Sequence, residues 1–293
     1  MANTRIAWFG LGMMGVPMVS NLLKAGIHVS GLDLKADAAP TLNGLPGFTR
    51  ATSVDAAVDG TKVVILMLPD SRIVDSLLWG EARLADALPA GTVLVDMGSS
   101  NPNNSKANAE RLAAQGVVFL DAPVSGGVKR AIDGSLTIMV GGAAEAVESC
   151  RPVFESMGQS ILRVGDAGAG HAVKSLNNYV SAAGLIAVSE ALVAAQRFGI
   201  DPHLVNQVFN VSSARNNTTE QKVEPAILTG RYNTGFALAL MTKDVQTAAE
   251  FIEGMGMQDA FVQHVVEMSK KASTALGPAA DQTAIHAYIA RPN

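Results

Sequence analysis

The sequence is short of several things, and each shortage removes a class of protein. It holds one cysteine, Cys150, so no disulfide can close within the chain, and a reducing, cytoplasmic setting is expected. Cys150 lies in an alanine-rich helical stretch, where a thiol packs as a small apolar side chain. Positive charge is not in excess: the net charge is −4, and nucleic acid is not an expected partner. No run approaches the roughly 18 uncharged apolar residues of a membrane span, so none is expected. The opening MANTRIAWFG enters a strand pattern at once, with neither an h-region nor a cleavage site. Repeats and low-complexity tracts are missing. No His/Cys/carboxylate cluster has ligand spacing, so no metal is expected. What remains is a chain of 293 residues, room for about two domains. With 48% hydrophobic and 16% charged residues, it can build substantial cores.

The first half alternates short apolar runs with helical patterns. Residues 5–9 are apolar and end in GLGMMG, and a helix pattern follows over 13–24. Gly10, Gly12 and Gly15 therefore form G-x-G-x-x-G between a strand and a helix. The first glycine permits the tight turn, the second lets backbone approach a pyrophosphate, and the third lets helix and strand pack closely. Leu11, Met13 and Met14 complete that turn. A strand over 27–32 ends at Asp33, 18 positions beyond Gly15. At that spacing a carboxylate meets the ribose 2′-hydroxyl and repels a 2′-phosphate. NAD is the expected cofactor, with NADP possible because Lys35 is close by. The pattern recurs at 63–68, ending near Leu68 and Pro69, at 92–95 before DMGSSNP, and at 117–120 before DAPVSGG. Such alternation predicts a parallel, doubly wound sheet with ligands beyond the carboxyl ends of its strands. Ser125, Gly126 and Gly127 can offer an anion a hydroxyl and unhindered N–H groups. Strands over 136–140 and 161–164 close the domain, and the helix between them, 143–157, carries Pro152 as a candidate kink.

After Gly165 the alternation stops. A Rossmann-type dinucleotide-binding domain is thus expected over 1–165, and an all-α domain for substrate and oligomerisation over 166–293. The second begins with one long helix, about 168–198, ending at Gly199, with Asp201-Pro202 starting the next. Val173, Leu176, Val180, Ala183 and Ala187 form an apolar stripe, and Lys174, Asn178 and Ser181 share another face. Most of the helix is apolar, which predicts burial on most sides. Lys174 is then either a stem that snorkels to water or a catalytic lysine facing a cleft, with Asn178 one turn on. Further helices are expected over about 203–211, 218–228, 238–253, 260–273 and 281–290. Lys243 and Asp244 interrupt an apolar run, as a helix surfacing to water would or as part of a site. In NNTTE, Asn217 or Thr218 is the expected cap.

Four blocks make the chain resemble the β-hydroxyacid dehydrogenases over essentially its whole length. They are GLGMMGVPMVSNL at 10–22, DAPVSGG at 121–127 with GSLTIMVGG at 134–142, GAGHAVKSLNN at 168–178, and KD at 243–244. This family includes 3-hydroxyisobutyrate dehydrogenase and tartronate semialdehyde reductase. The resemblance implies a Rossmann domain joined by a long helix to an all-α domain, with the active site between them. It implies Lys174 as the catalytic lysine, Ser125, Gly126 and Gly127 as holders of the substrate carboxylate, and Asn178 as a substrate contact. Ser99, where the family usually has threonine, would touch the cofactor, and Lys243 would lie near the nicotinamide. The implied protein is an NAD(P)-dependent oxidoreductase, a homodimer or homotetramer, interconverting a small 3-hydroxy acid and its semialdehyde or 3-oxo acid. Lysine titrates near ~10.4, so a general base at this position calls for partial burial or a neighbouring cation such as Lys243. His171 is read as part of a polar helix start. Imine reductases resemble the first domain but generally lack the lysine, and a non-catalytic dinucleotide sensor would need neither Lys174 nor Asn178. Ser212, Arg215, Asn216, Asn217 and Phe236 are the guesses for side chains that select the acid.

Overall fold

Strand β1 (Arg5–Phe9) shows how the N-terminal half is layered: Ile6 and Trp8 enter one core, Ala7 and Phe9 another. Side chains alternate across a strand, so a strand buried on both faces belongs inside a sheet covered by helices on either side. The computed structural model describes residues 5–258 and 260–291. It divides into two compact units, the first ending at Lys174 and the second starting at Ser175. The division falls within the long helix.

In chain order the first unit runs β1, α1 (Gly15–Lys24), β2 (His28–Leu32), β3 (Phe48–Arg50), α2 (Val54–Val58), β4 (Val63–Leu66), α3 (Ser71–Trp79) and α4 (Leu84–Ala87). It continues with β5 (Val93–Asp96), α5 (Pro102–Ala113), β6 (Val118–Asp121), β7 (Val124–Ser125), α6 (Gly127–Asp133), β8 (Leu136–Gly141), α7 (Ala144–Glu155) and β9 (Gly158–Gly165). Strands β3–β2–β1–β4–β5–β6 are parallel neighbours in the order of a dinucleotide-binding sheet. Beyond β6 the expected all-parallel pattern fails. Strand β8 runs antiparallel to β6 and β7, and β9 runs parallel to β8. Only residues 126–135 separate β7 from β8, fewer than the dozen or so a parallel crossover needs. One face of the sheet packs on Met18, Val19 and Leu22 of α1 and on Val147, Cys150 and Phe154 of α7. The other meets Val74 and Leu78 of α3 and Leu112 of α5. Helix α7 passes through Pro152 without ending. Cys150 is buried as expected, and burial pushes its thiol pKa up.

The second unit takes up α8 (Ala169–Phe198) and adds α9 (Pro202–Val211), α10 (Asn217–Gln221) with a π-helical turn Val223–Ile227, α11 (Leu238–Gly254), α12 (Ala260–Leu276) and α13 (Ile285–Ile289). Asp201 caps α9 by accepting the His203 N–H at 2.9 Å, with Pro202 at the first helical position. Two expectations for α8 need correction. Its apolar stripe is not the buried face: Val180 is 67% exposed and Val173 38%, while Leu185, Ile186, Val188 and Leu192 enter the core. A helix apolar nearly all round leaves periodicity unable to choose its inner side. By length and composition α8 is also long and apolar enough to cross a membrane, contrary to the expectation of no such run. In this fold its apolar residues are shared between a helical core and an exposed stripe.

Candidate active site

The turn between β1 and α1 is shaped by what its glycines touch. A Cβ on Gly10, whose φ is +99°, would strike the Met67 carbonyl oxygen, and one on Gly15 would strike the Gly10 carbonyl oxygen. A Cβ on Gly12 would meet nothing within 4 Å. Protein packing thus accounts for Gly10 and Gly15, and the openness at Gly12 fits a bound group that backbone must approach. Trp8 Nε1 donates to the Gly10 carbonyl at 2.8 Å and fixes the turn from below. Helix α1 begins without a side-chain cap, which leaves its start suited to phosphate. Leu11 and Met14 continue the turn, and Met13 is 77% exposed. Asp33, at the end of β2, accepts the Leu11 N–H at 2.7 Å and the Lys35 N–H at 2.9 Å. The acid therefore braces the glycine turn. These residues fit a dinucleotide.

Neighbouring strand ends nest against this turn. Leu68 packs beside Gly10, and a Cβ on Gly98 would strike the Leu68 carbonyl oxygen. Pro69 precedes Asp70, whose carboxylate caps α3 by accepting the Arg72 and Ile73 N–H groups. After β5, Asp96 accepts the Gly98 N–H at 2.9 Å and the Ser100 hydroxyl at 2.6 Å, with Ser99 half-buried between them. After β6, Ser125 pairs with Thr137 of β8. Gly126 and Gly127 then turn the chain at φ of +130° and +65°, which glycine adopts without penalty from a Cβ. A Cβ on Gly127 would again meet nothing within 4 Å.

On α8, Lys174, Asn178 and Ser181 are all half-buried. Asn178 Nδ2 donates to Asp244 Oδ2 at 2.6 Å, and its Oδ1 accepts from Asn177 at 3.1 Å. Lys243 Nζ lies 3.0 Å from Asp244 Oδ1. Asp244 is 5% exposed, so the Lys243–Asp244 pair is no helix surfacing to water: the acid ties Asn178 to Lys243. Ser181 meets Lys222 Nζ at 3.3 Å.

Sequence reasoning missed two groups and misread two others. Lys222 is buried, its ammonium near Ser181 and Gln282, and burial against the attraction of Asp281 lowers its pKa to about 8. Nothing in EQKVEP marks it, although it adjoins the π-helical turn, a common sign of a functional or strained spot. Asp121 is the other, fully buried at the end of β6 beneath the start of α8. His171 is no polar helix start open to water. It is 1% exposed, with Nδ1 2.7 Å from Ser105 Oγ and 3.6 Å from Asp121 Oδ2. Asn216, not Asn217 or Thr218, caps α10 and forms a capping box with Thr219, and Arg215 pairs with Glu220 at 3.2 Å. Both are held by local structure, while Ser212 and Asn217 lie at helix ends and Phe236 packs on the helical core.

Residues 5–165 match the family described as the NAD binding domain of 6-phosphogluconate dehydrogenase. Residues 168–289 match the one described as NAD-binding of NADP-dependent 3-hydroxyisobutyrate dehydrogenase. The 2-(hydroxymethyl)glutarate dehydrogenase of Eubacterium barkeri is 38% identical over 250 residues, 85% of this chain and 82% of that protein. The 3-hydroxyisobutyrate dehydrogenase of Pseudomonas aeruginosa is also 38% identical, over 84% of each. The structure of Mycobacterium tuberculosis 3-hydroxyisobutyrate dehydrogenase with L-serine is similar at a TM-score of 0.88 and 30% identity, covering 99% of this chain and 100% of that one.

Proposed function

The chain belongs to the β-hydroxyacid dehydrogenase family, and on that premise we propose that it oxidises a small 3-hydroxy acid reversibly with NAD, using Lys174 as general base and acid. The observation that carries this reading is the polar face of α8. Lys174 stands one turn before Asn178, whose amide is oriented by Asp244. The acid's carboxylate is received by the Ser125 hydroxyl and the backbone N–H groups of Gly126 and Gly127. Asn178 spends one amide hydrogen on Asp244 and keeps the second for a substrate oxygen. Lys174, as the neutral amine, takes the hydroxyl proton while the C–H electron pair leaves the same carbon, and it returns the proton in reduction. When bound, the nicotinamide supplies the acceptor for that hydride. Asp33 favours NAD, because its carboxylate repels a 2′-phosphate. A homodimer or homotetramer is part of the proposal. Val180, Phe198 and Val211, at 67%, 85% and 87% exposure, are apolar surface that a second copy would cover.

Absorbance of the reduced cofactor tests this directly. Three- to six-carbon hydroxy acids, including 3-hydroxyisobutyrate, serine, glycerate and 2-(hydroxymethyl)glutarate, are offered with NAD and with NADP. Turnover of at least one 3-hydroxy acid, faster with NAD, is expected. Tight NAD binding with no turnover of any acid would make the protein a dinucleotide sensor and overturn the reading.

A further inference from the structure

The first turn of a helix has N–H groups without intrahelical acceptors, and a nearby Ser, Thr, Asp or Asn usually caps them. Helix α8 is capped from far away instead. Asp121, 47 residues before Gly168, accepts the Gly168 N–H on Oδ1 and the His171 N–H on Oδ2, both at 2.7 Å. The carboxylate is fully buried, and burial raises its pKa against the pull of His171 and the N–H donors. A second brace runs through His171. Its Nδ1 shares a hydrogen bond with Ser105 Oγ at 2.7 Å, and Ser105 Oγ also lies 3.2 Å from the Asn101 carbonyl.

Two glycines make room for this arrangement. A Cβ on Gly170 would come within 2.5 Å of the Met139 carbonyl, 2.6 Å of the Asp121 carbonyl and 2.9 Å of Asp121 Oδ2. A Cβ on Gly141 would strike Asp121 Oδ1. Three separate glycine-bearing blocks, 121–127, 134–142 and 168–178, therefore converge on one carboxylate. Asp121 also heads the segment that reaches Ser125 four residues later, while His171 lies three residues before Lys174. The loop offered to the acid's carboxylate and the turn that presents the amine are pinned by the same side chain.

We infer that Asp121 is a positioning residue for the reaction, fixing the first turn of α8 and with it Lys174 relative to the Ser125–Gly127 loop. The inference rests on Lys174 being the proton-transfer group. Misplacing a reacting group by about 1 Å can lower a rate by roughly 10²-fold, so a cap that holds the turn has kinetic consequences.

The test is a double-mutant cycle on the full chain, with Asp121→Asn, Lys174→Ala and the double variant. Asparagine keeps one acceptor oxygen and sets an NH2 against the second N–H, so the cap is half lost. Asp121→Asn should lower kcat about 10- to 100-fold with NAD affinity changed by less than about threefold. In the Lys174→Ala background the same substitution should cost less than about threefold, since no amine is left to misplace. An equal loss in both backgrounds, or a kcat at the wild-type level in Asp121→Asn, overturns the inference while leaving the role of Lys174 intact. Wild-type turnover in Lys174→Ala overturns that role, and the inference with it. If Asp121→Asn does not fold, Ser105→Ala replaces it in the cycle. That change removes the His171 brace, together with the Ser105–Asn101 bond, while leaving the Asp121 cap, and should lower kcat several-fold only where Lys174 is present. A Ser105→Ala loss that persists without Lys174, or no loss at all, overturns the inference in that case.

Discussion

The first unit buries the carboxylates of Asp96 and Asp121, the second buries Lys222 besides Asp244, and the surroundings of the two acids and the lysine differ. Asp96 and Asp121 each receive two short hydrogen bonds, three of the four from backbone N–H groups at strand and helix ends. Their charge holds main chain where ligand-facing loops leave the sheet. Lys222 has two long contacts, 3.3 Å to Ser181 and 3.5 Å to Gln282, and burial depresses its pKa. A buried charge with saturated partners specifies geometry, whereas one with loose partners mainly carries desolvation cost. Substitutions at ligand-facing positions of the first unit should therefore change kinetics with little change in stability, and substitution of Lys222 should do the reverse.

Lys174→Ala gives the largest expected effect and the first chance to break this contrast. It should lower kcat by roughly 10²–10⁴-fold, the range of a general acid–base group, with the melting temperature and NAD affinity close to wild type. Lys174→Arg should restore little, because guanidinium does not give up its proton. A variant with normal turnover but a lowered melting temperature would move Lys174 into the structural class.

Gly12→Ala sharpens the contrast inside a single turn. Its Cβ touches no protein atom, so thermal stability should hold while NAD binding weakens about 10- to 100-fold, a loss of ~1.4–2.7 kcal/mol. Gly10→Ala, which strikes the Met67 carbonyl, should instead lower the melting temperature. Calorimetric titration with NAD and thermal melts on both variants decide it, and unchanged NAD affinity in Gly12→Ala would remove the pyrophosphate from this turn. Asp33→Ala should act more weakly. Losing the ribose partner and the brace on Leu11 should narrow the NAD-over-NADP ratio of kcat/KM by about tenfold. A wild-type enzyme that prefers NADP would sink the assignment of Asp33.

Much of this was legible because the relevant residues act locally. G-x-G-x-x-G at a strand–helix junction, glycine pairs after β6 and Pro202 after Asp201 each impose backbone geometry within a few positions. The parallel run of β1, β2, β4, β5 and β6 follows from their alternation with helices. The unread parts depend on distance in sequence. No local pattern announces that Asp121 caps a helix 47 residues on, or that Lys222 folds against Ser181 and Gln282. The buried side of α8 was invisible for another reason: nearly every face of it is apolar, so tertiary packing rather than periodicity chose Leu185 and Leu192 over Val173 and Val180. The short strand β3 and helices α2 and α4 carry too few residues for a period to register.

Lys222→Met has the smallest expected effect and tests the other side of the contrast. Burial lowers the lysine pKa from 10.5 to about 8. Below about 8 the group is protonated whether folded or unfolded, and the folded protein bears the full burial penalty. Between about 8 and 10.5 the unfolded chain holds more protons than the folded one, so this residue's contribution makes stability rise with pH. Above that window the penalty has gone. At ~1.4 kcal/mol per pH unit, the window caps the gain from removing the charge at about 3 kcal/mol. Loss of the bonds to Ser181 and Gln282, ~1 kcal/mol each, leaves a net gain of about 1 kcal/mol at pH 7. That corresponds to a melting temperature raised by about 2–4 °C. The advantage should shrink and reverse as melts are repeated toward pH 10.5, while kcat at pH 7 stays within about twofold of wild type. A tenfold loss of kcat with no gain in stability would break the comparison and make the Lys222–Ser181 contact part of the same working helix face as Lys174 and Asn178.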